Sequence, residues 1–381
     1  MNDKTLEYLL AGLNNITWQS AVMIAVGLLL IWLAISKDYE PLLLLPIGSG
    51  AILANLPLSP LVGVTEVGDE KHTGMLTALY NMGVGNELFP LLIFIGIGAM
   101  TDFGPLLENP RMVLLGGAGQ FGIFLTLILA LLIGFDQNQA ASIGIIGAID
   151  GPTSIYVSTK LAPDLVSPIT VAAYSYMSLV PIIMPPIMRL LTTKKERQIR
   201  MAYTSREISQ RTRILFPILV TILVGALVPF ATPLIGMLML GNLMRESKVV
   251  ERLVGASSNE LANVVTLFLG LAIGSTMVGQ NFIRLQTLFI LMLGLLAFCL
   301  DTATGVLFGK LMKVFYGGKF NPLIGAAGIS AFPMAARVVQ REASREDRGN
   351  FVLMHAMGAN AAGQVASVVA GGVLLALMGA S

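Results

Sequence analysis

Apolar runs of about the length that crosses a bilayer recur along this chain, and that recurrence leaves few folds open to it. They lie near residues 18–36, 84–101, 112–135, 166–191, 213–231, 259–279, 285–309 and 350–379, with shorter ones near 41–58 and 232–244. A spanning helix needs ~20 predominantly apolar residues. In hydrocarbon every backbone polar group must be paired within the protein, so repeated spans of this length mean helices rather than open sheet. Composition agrees, with 55% of residues hydrophobic and 12% charged, against ~25% charged in an average soluble domain. The expected fold is an all-α polytopic membrane protein. Residues 1–15 show no cleavage pattern, so the first helix is expected to act as its own insertion signal.

The charges that remain are informative by position. A net charge of +2 gives no support for a nucleic-acid partner. Lys194, Lys195, Arg197, Arg200, Arg206, Arg211 and Arg213 crowd one loop with Glu196 and Glu207, and Lys310, Lys313, Lys319, Arg341, Arg345 and Arg348 form later clusters. Lys and Arg concentrate on cytoplasmic loops, so these segments are placed inside. Glu66, Asp69, Glu70, Asp136 and Asp164 are placed outside. Cys299 is the single cysteine; it reads as a small buried hydrophobe, which excludes an intrachain disulfide and a cysteine metal site.

Asp150 stands apart, in Ile-Gly-Ala-Ile-Asp150-Gly-Pro-Thr-Ser-Ile, with no basic residue nearer than Arg111 and Lys160. A charge at membrane depth costs at least ~2.5–3.5 kcal/mol and usually faces a cavity, an ion path or a partner charge. Beside it, Gly151-Pro152 breaks the helix, and broken backbone at that depth must be buried in protein or line a watery site. The flanking Asp136 and Asp164 both prefer the outer side, so the segment near 139–161 is expected to enter and leave by one face as a re-entrant hairpin. The segment near 320–342 mirrors it from the inner side: Lys319 precedes it, Arg341 follows it, and Asn321-Pro322 and Gly325-Ala326-Ala327-Gly328-Ile329-Ser330 interrupt it.

The order of elements suggests an internal repeat. Asn86-Glu87-Leu88 and Asn259-Glu260-Leu261 each open a Gly-containing apolar run, each followed by a long helix, an interrupted polar segment and a last helix. The expected plan is two inverted repeats, 1–200 and 201–381, each with about five transmembrane helices plus one re-entrant hairpin. Paired interrupted segments at the midplane are where secondary transporters of this plan bind their ions. Asp150, Thr153 and Ser154 on the first hairpin, with Asn321 and Ser330 on the second, make an all-oxygen set suited to a hard cation such as sodium.

Alternatives stay open for each residue outside Asp150. Asn321 and Ser330 also suit turn chemistry. Tyr176 carries a proton in a buried setting, but plain packing with a bonded hydroxyl serves equally, and Tyr174 and Ser178 compete with it. Glu87 and Glu260 read most simply as first-turn acids after an Asn cap. Lys160 and Arg337 either snorkel to the interface or hold an anionic carboxylate. No Gly-rich phosphate loop ending in Gly-Lys-Ser/Thr occurs, which disfavours direct use of nucleotide energy.

Four strings, Gly85-Asn86-Glu87-Leu88, Gly147-Ala148-Ile149-Asp150-Gly151-Pro152-Thr153, Ala173-Tyr174-Ser175-Tyr176-Met177 and Asn321-Pro322-Leu323-Ile324-Gly325-Ala326-Ala327-Gly328-Ile329-Ser330, together with Pro185-Pro186-Ile187-Met188-Arg189, carry a resemblance. The chain resembles the beta subunits of biotin-dependent, sodium-pumping decarboxylases acting on oxaloacetate, methylmalonyl-CoA or glutaconyl-CoA. The resemblance implies a multi-pass protein of the bacterial inner membrane that decarboxylates carboxybiotin and couples this to sodium export with proton consumption. It implies as partners a soluble carboxyltransferase alpha subunit, a biotin carrier domain and a small gamma or delta membrane subunit, with a homo-oligomeric scaffold. Asp150 then looks like the principal sodium ligand, Asn321 and Ser330 like a second sodium-linked site, Tyr176 like a participant in proton delivery, and Arg337 like a functional cation near that site; Arg337 and Lys160 are the residues expected to bind carboxybiotin. No Met-Lys-Met biotin-attachment string is present, in keeping with biotin arriving on a partner. The repeat plan alone fits a sodium-coupled organic-anion carrier or a sodium/proton antiporter equally well.

Overall fold

The computed structural model describes residues 11–12, 14–67, 70–202 and 207–379. The amino-terminal segment expected to lack a cleavable signal falls mostly outside these residues, as do Asp69 and Arg206. The helices are α1 (Trp18–Lys37), α2 (Pro41–Asn55), α3 (Met75–Gly83), α4 (Leu88–Met100), α5 (Gly104–Glu108), α6 (Val113–Ala118), α7 (Phe121–Ile133), α8 (Gln137–Gly144), α9 (Gly151–Leu161), α10 (Val166–Leu191), α11 (Lys194–Arg197), α12 (Gln210–Leu227), α13 (Thr232–Ser247), α14 (Glu251–Ala256), α15 (Ala262–Thr276), α16 (Gly279–Phe282), α17 (Leu285–Phe315), α18 (Met334–Glu346) and α19 (Leu353–Leu377). A short antiparallel ribbon pairs β1 (Val64–Val67) with β2 (Glu70–Thr73), Val64 opposite Thr73.

Seven described helical stretches, counting Pro110–Ile133 and Glu251–Thr276, which join successive shorter elements, are long and apolar enough to cross a membrane, and eight if α3 and α4, bent by 60°, count as one span. The chain is therefore a multi-pass, all-helical membrane protein. About five crossings per half exceeds this number, because α2 and α13, at 15 and 16 residues, are shorter than a ~20-residue span. Asn86 accepts from Leu88 N at 3.2 Å in a local turn just before α4, and Glu87 stands outside the helix at φ 67°, so it is not the first-turn acid that its sequence suggests. Asn259 does not cap: it lies in a π-turn, Ser257–Leu261, between α14 and α15, and its amide donates to Gly255 O at 3.0 Å.

The chain forms two compact units, Met1–Phe89 with Asn263–Phe289, and Pro90–Ala262 with Ile290–Ser381. In the first, α1 and α2 cross at Gly27 and Gly48, where a Cβ on either would meet the other's carbonyl oxygen at 2.7 and 2.6 Å. Asn55 ties α2 to the end of α15, donating to Met277 O at 2.7 Å and accepting from Gly279 N at 2.9 Å.

In the second unit the helical path of both interrupted segments is broken, and these segments are called hairpin one and hairpin two for brevity. Hairpin one is α8, a 3₁₀ turn at Ile145–Ala148, the break at Ile149-Asp150, and α9. Ile149 is left-handed, at φ 52° and ψ 44°, a conformation that a β-branched residue adopts only under strain of order 1–3 kcal/mol. Hairpin two is a 3₁₀ helix, Pro322–Gly328, an extended turn through Ser330, and α18. Helix α19 lies against both and is mostly buried, its small residues admitting close backbone approach. A Cβ on Gly116 would meet Ala362 and Gly363, and one on Gly119 would meet Gly328 O at 2.5 Å.

The basic loop is not simply solvated. At the end of α10, Arg189 holds Glu342 through two bonds of 2.7 and 2.6 Å, and in the basic connector that follows it, Arg197 holds Glu346 and Arg200 holds Asp347. Glu196 receives Lys313 at 3.1 Å and Lys310 at 3.4 Å. Asn321 and Asn350 both donate to the carbonyls of Arg197 and Ile199. These contacts bind the connector to α17, to α18 and to the start of hairpin two.

Partial burial alone would raise the Glu196 carboxyl, but the Thr193 N–H, the Lys313 ammonium, the Thr193 hydroxyl and the Lys310 charge outweigh it and bring it down to about 2. A carboxyl depressed on folding contributes stability that is present above its ordinary range and lost as pH falls toward the folded value. Amide exchange of residues 193–200, corrected for intrinsic rate, should therefore stay slow down to pH ~4.5 and quicken as pH falls toward about 2. Glu196→Gln should give the faster exchange at neutral pH.

Candidate functional site

Asp150 is 3% exposed and forms the N-cap of α9. Its Oδ2 accepts from Thr153 Oγ1 at 2.8 Å, Ser367 Oγ at 2.9 Å and Gln364 Nε2 at 3.0 Å, while Oδ1 faces Thr153 N at 3.4 Å. Ser154 Oγ donates to the Asp150 carbonyl at 2.8 Å and approaches Ile145 O at 3.5 Å. Every group that contacts the carboxylate is therefore neutral. Dipoles offset part of the cost of burying a charge, but full compensation needs a counter-ion.

The donors on α19 arrive by helical spacing, since Asn360, Gln364, Ser367 and Gly371 fall on one face. Gly371 lets that face come close: a Cβ there would stand 2.9 Å from Thr153 Cγ2. Hydroxyl oxygens can turn their lone pairs to a cation, and the orientation of an amide such as Gln364 follows the network around it. The set is one of hard oxygens, with no cluster of His, Cys, Asp or Glu able to hold a transition metal among the described residues.

The second break meets the first. Ser330 N donates to Ala148 O at 3.2 Å, and Ser330 Oγ donates to Gly363 O at 3.0 Å. Asn360 Nδ2 donates to Ile329 O at 2.6 Å, and Gln120 Nε2 to Gly328 O at 3.3 Å. The other oxygens of these two amides, Asn360 Oδ1 and Gln120 Oε1, are buried and accept no hydrogen bond. Unsatisfied buried acceptors are uncommon and call for a cation or a donor.

The remaining expected residues are dispersed. Asn321 spends its amide elsewhere, Oδ1 accepting from Leu323 N at 3.0 Å and Nδ2 donating to the connector. Tyr176 donates to Leu291 O at 2.5 Å, with its ring against Gly294 near Ile146 of hairpin one. It is Tyr174 whose ring covers Gly151, where a Cβ would overlap it. Lys160 is exposed, its ammonium 5.3 Å from the centre of the Tyr156 ring. Arg337 is exposed and lines a cavity of about 480 Å³ with Phe332, Pro333, Met354, Met357 and Asp102.

Asn360, Gln364 and Ser367 are residues to which the sequence reading assigns no role. Their signal was a polar stripe at i, i+4 and i+7 within the last apolar span.

The chain is similar to known proteins along nearly its whole length. Residues 19–378 match the family described as the Na+-transporting oxaloacetate decarboxylase beta subunit. The methylmalonyl-CoA decarboxylase subunit beta of Veillonella parvula is 52% identical over 368 residues, 97% of this chain and 95% of that protein. The glutaconyl-CoA decarboxylase subunit beta of Acidaminococcus fermentans is 52% identical over 369 residues, covering 97% and 96%. The oxaloacetate decarboxylase beta chain of Klebsiella pneumoniae is 48% identical over 417 residues, covering 96% of each.

A test of whether the Asp150 carboxylate binds a cation is to remove one of its partners, which should then weaken binding without unfolding the protein. A hydrogen bond to a charged group contributes ~1.5–3 kcal/mol, so Ser367→Ala or Gln364→Leu should each weaken sodium binding on the order of tenfold, read by titration calorimetry with potassium as the control.

Proposed function

Because this chain belongs to the family of Na+-transporting oxaloacetate decarboxylase beta subunits, we propose that it decarboxylates carboxybiotin presented by a partner and couples that step to sodium export. The observation that carries this reading is the buried Asp150 carboxylate, met only by neutral groups, at the junction of two broken segments. A sodium ion supplies the missing charge. Asp150 is the principal ligand, with Thr153, Ser154 and Ser330 beside it and Gln364, Ser367 and Asn360 from α19.

Arg337 and the Met354–Met357 wall suit a small, largely apolar ring that carries a carboxylate. Carboxybiotin supplies an N-carboxyl group whose C–N bond breaks to release carbon dioxide, the ring nitrogen taking a proton. Arg337 holds the carboxylate while it is attached, and the apolar wall excludes water around it. Lys160, on α9 with its ammonium over the Tyr156 ring, is the second cation assigned to carboxybiotin. Tyr176 can serve in proton delivery once its hydroxyl leaves the Leu291 carbonyl, which ties that proton to relative movement of α10 and α17. Asn321 acts by fixing the connector to hairpin two.

The broader assembly follows the family. A soluble carboxyltransferase alpha subunit, a biotin carrier domain and a small gamma or delta subunit complete the complex in the bacterial inner membrane, with this subunit as the oligomeric scaffold. Two inverted repeats, 1–200 and 201–381, would give the alternating access that export requires. Moving one sodium ion against the potential costs ~2.3 kcal/mol per 100 mV, so the site must never be open to both sides at once.

The test is sodium-22 uptake into inverted vesicles holding the whole complex, with decarboxylation of free biotin carboxylate followed in parallel. Asp150→Asn should lose both activities together; sodium flux in the wild type that ignores carboxybiotin would instead identify a carrier. Arg337→Met should raise the KM for free biotin carboxylate at least about tenfold, the loss of one charge-assisted contact, while sodium binding in detergent stays unchanged.

A further inference from the structure

Asp301 lies within α17, fully buried, and no step above uses it. Its Oδ1 accepts the backbone N–H of Gly122 on α7, and its Oδ2 has no hydrogen-bond partner. Two glycines from different elements make room for the carboxyl. A Cβ on Gly122 would stand 2.6 Å from Oδ1, and one on Gly147, in the 3₁₀ turn of hairpin one, would stand 2.7 Å from Oδ2. Atoms of Ala297 and Ile123 complete the immediate surroundings of these glycines. None of these four residues is charged. The other titratable groups on the elements packed here are Cys299 on the same helix, half-buried, Lys310 and Lys313 further along it, which are paired with Glu196, and Asp150, three residues beyond Gly147; α7 has none.

We propose that Asp301 is a proton-binding site of the pump, separate from Asp150 and coupled to it through hairpin one. An ionised carboxyl with one oxygen bare in an apolar interior is costly, so the resting site holds a proton on Oδ2 while Oδ1 keeps the Gly122 N–H. Release breaks that O–H bond, passes the proton to water and leaves a carboxylate. Gly147 and Asp150 are joined by three peptide units, so their Cα atoms lie within about 11 Å of each other. A sodium ion arriving at Asp150 therefore favours the ionised form of Asp301, and an ionised Asp301 favours sodium in return. At that range the coupling is on the order of tenfold in either affinity. The coupling rests on Asp150 being the sodium site; the protonation of Asp301 does not.

Infrared difference spectroscopy on the whole complex reads both parts. In sodium-free buffer a protonated buried carboxyl band is expected that is absent in Asp301→Asn and displaced rather than lost in Asp301→Glu, which covers the case in which the Asn variant does not assemble. Sodium chloride, but not potassium chloride, should bleach that band in the wild type and leave it in place in Asp150→Asn. Bleaching that survives in Asp150→Asn would support the proton site while refuting Asp150 as the sodium ligand. Absence of the band without sodium, or a wild-type band indifferent to sodium, overturns the proposal. In vesicles, Asp301→Asn should raise the sodium concentration for half-maximal export on the order of tenfold; an unchanged value would mark Asp301 as a structural acid.

Discussion

A carboxylate held in an apolar interior without a cation beside it sets the terms for the rest of this molecule. Asp150 needs donors, and the local chain supplies only the Thr153 hydroxyl and the N-terminal end of α9. The others come from α19, far away in sequence, through Gln364 and Ser367. The helix break that frees the backbone around Asp150 is itself strained at Ile149, and strain of this kind persists only where surrounding packing over-determines it. Hairpin one therefore depends on the elements packed around it.

That packing is built from small residues. Gly116 and Gly119 bring α6 and the turn after it onto α19 and hairpin two, and Gly363 and Gly371 bring α19 onto the two breaks. Close backbone approach is how helices associate where lipid removes the hydrophobic driving force. Here it also sets the distances between carbonyls, amides and hydroxyls that a cation would need. The same residues that lower the cost of assembling the bundle determine which oxygens meet.

Much of this was legible in the chain. The eight apolar runs correspond to the eight spans, counting the bent pair as one, because span length is a local property. Both interrupted segments were visible for the same reason: Pro152 and Pro322 each stand in the first turn of a new helical segment, the position where proline is tolerated, and so mark where the chain restarts. What lay beyond reach was non-local. Nothing within Asn321's own neighbourhood shows that its amide would reach the connector, and nothing in the helix carrying Tyr176 shows that the hydroxyl would find Leu291 rather than Asp150. Asp301 obeys the rule that made Asp150 conspicuous, yet it sits in an unbroken helix, and its pocket is made by Gly122 and Gly147 from two other elements. The short lengths of α2 and α13 were visible as well, in the shorter apolar runs near 41–58 and 232–244.

Asn321 and Asn350 grip the same two carbonyls, those of Arg197 and Ile199, from opposite sides of hairpin two in the sequence. The grip is thus duplicated. Either amide alone can retain the connector, so the contact has a redundancy that most of the ion-site hydrogen bonds lack. That redundancy separates two kinds of phenotype: a defect produced only when both amides are removed belongs to the connector, whereas one produced by Asn321 alone belongs to hairpin two itself.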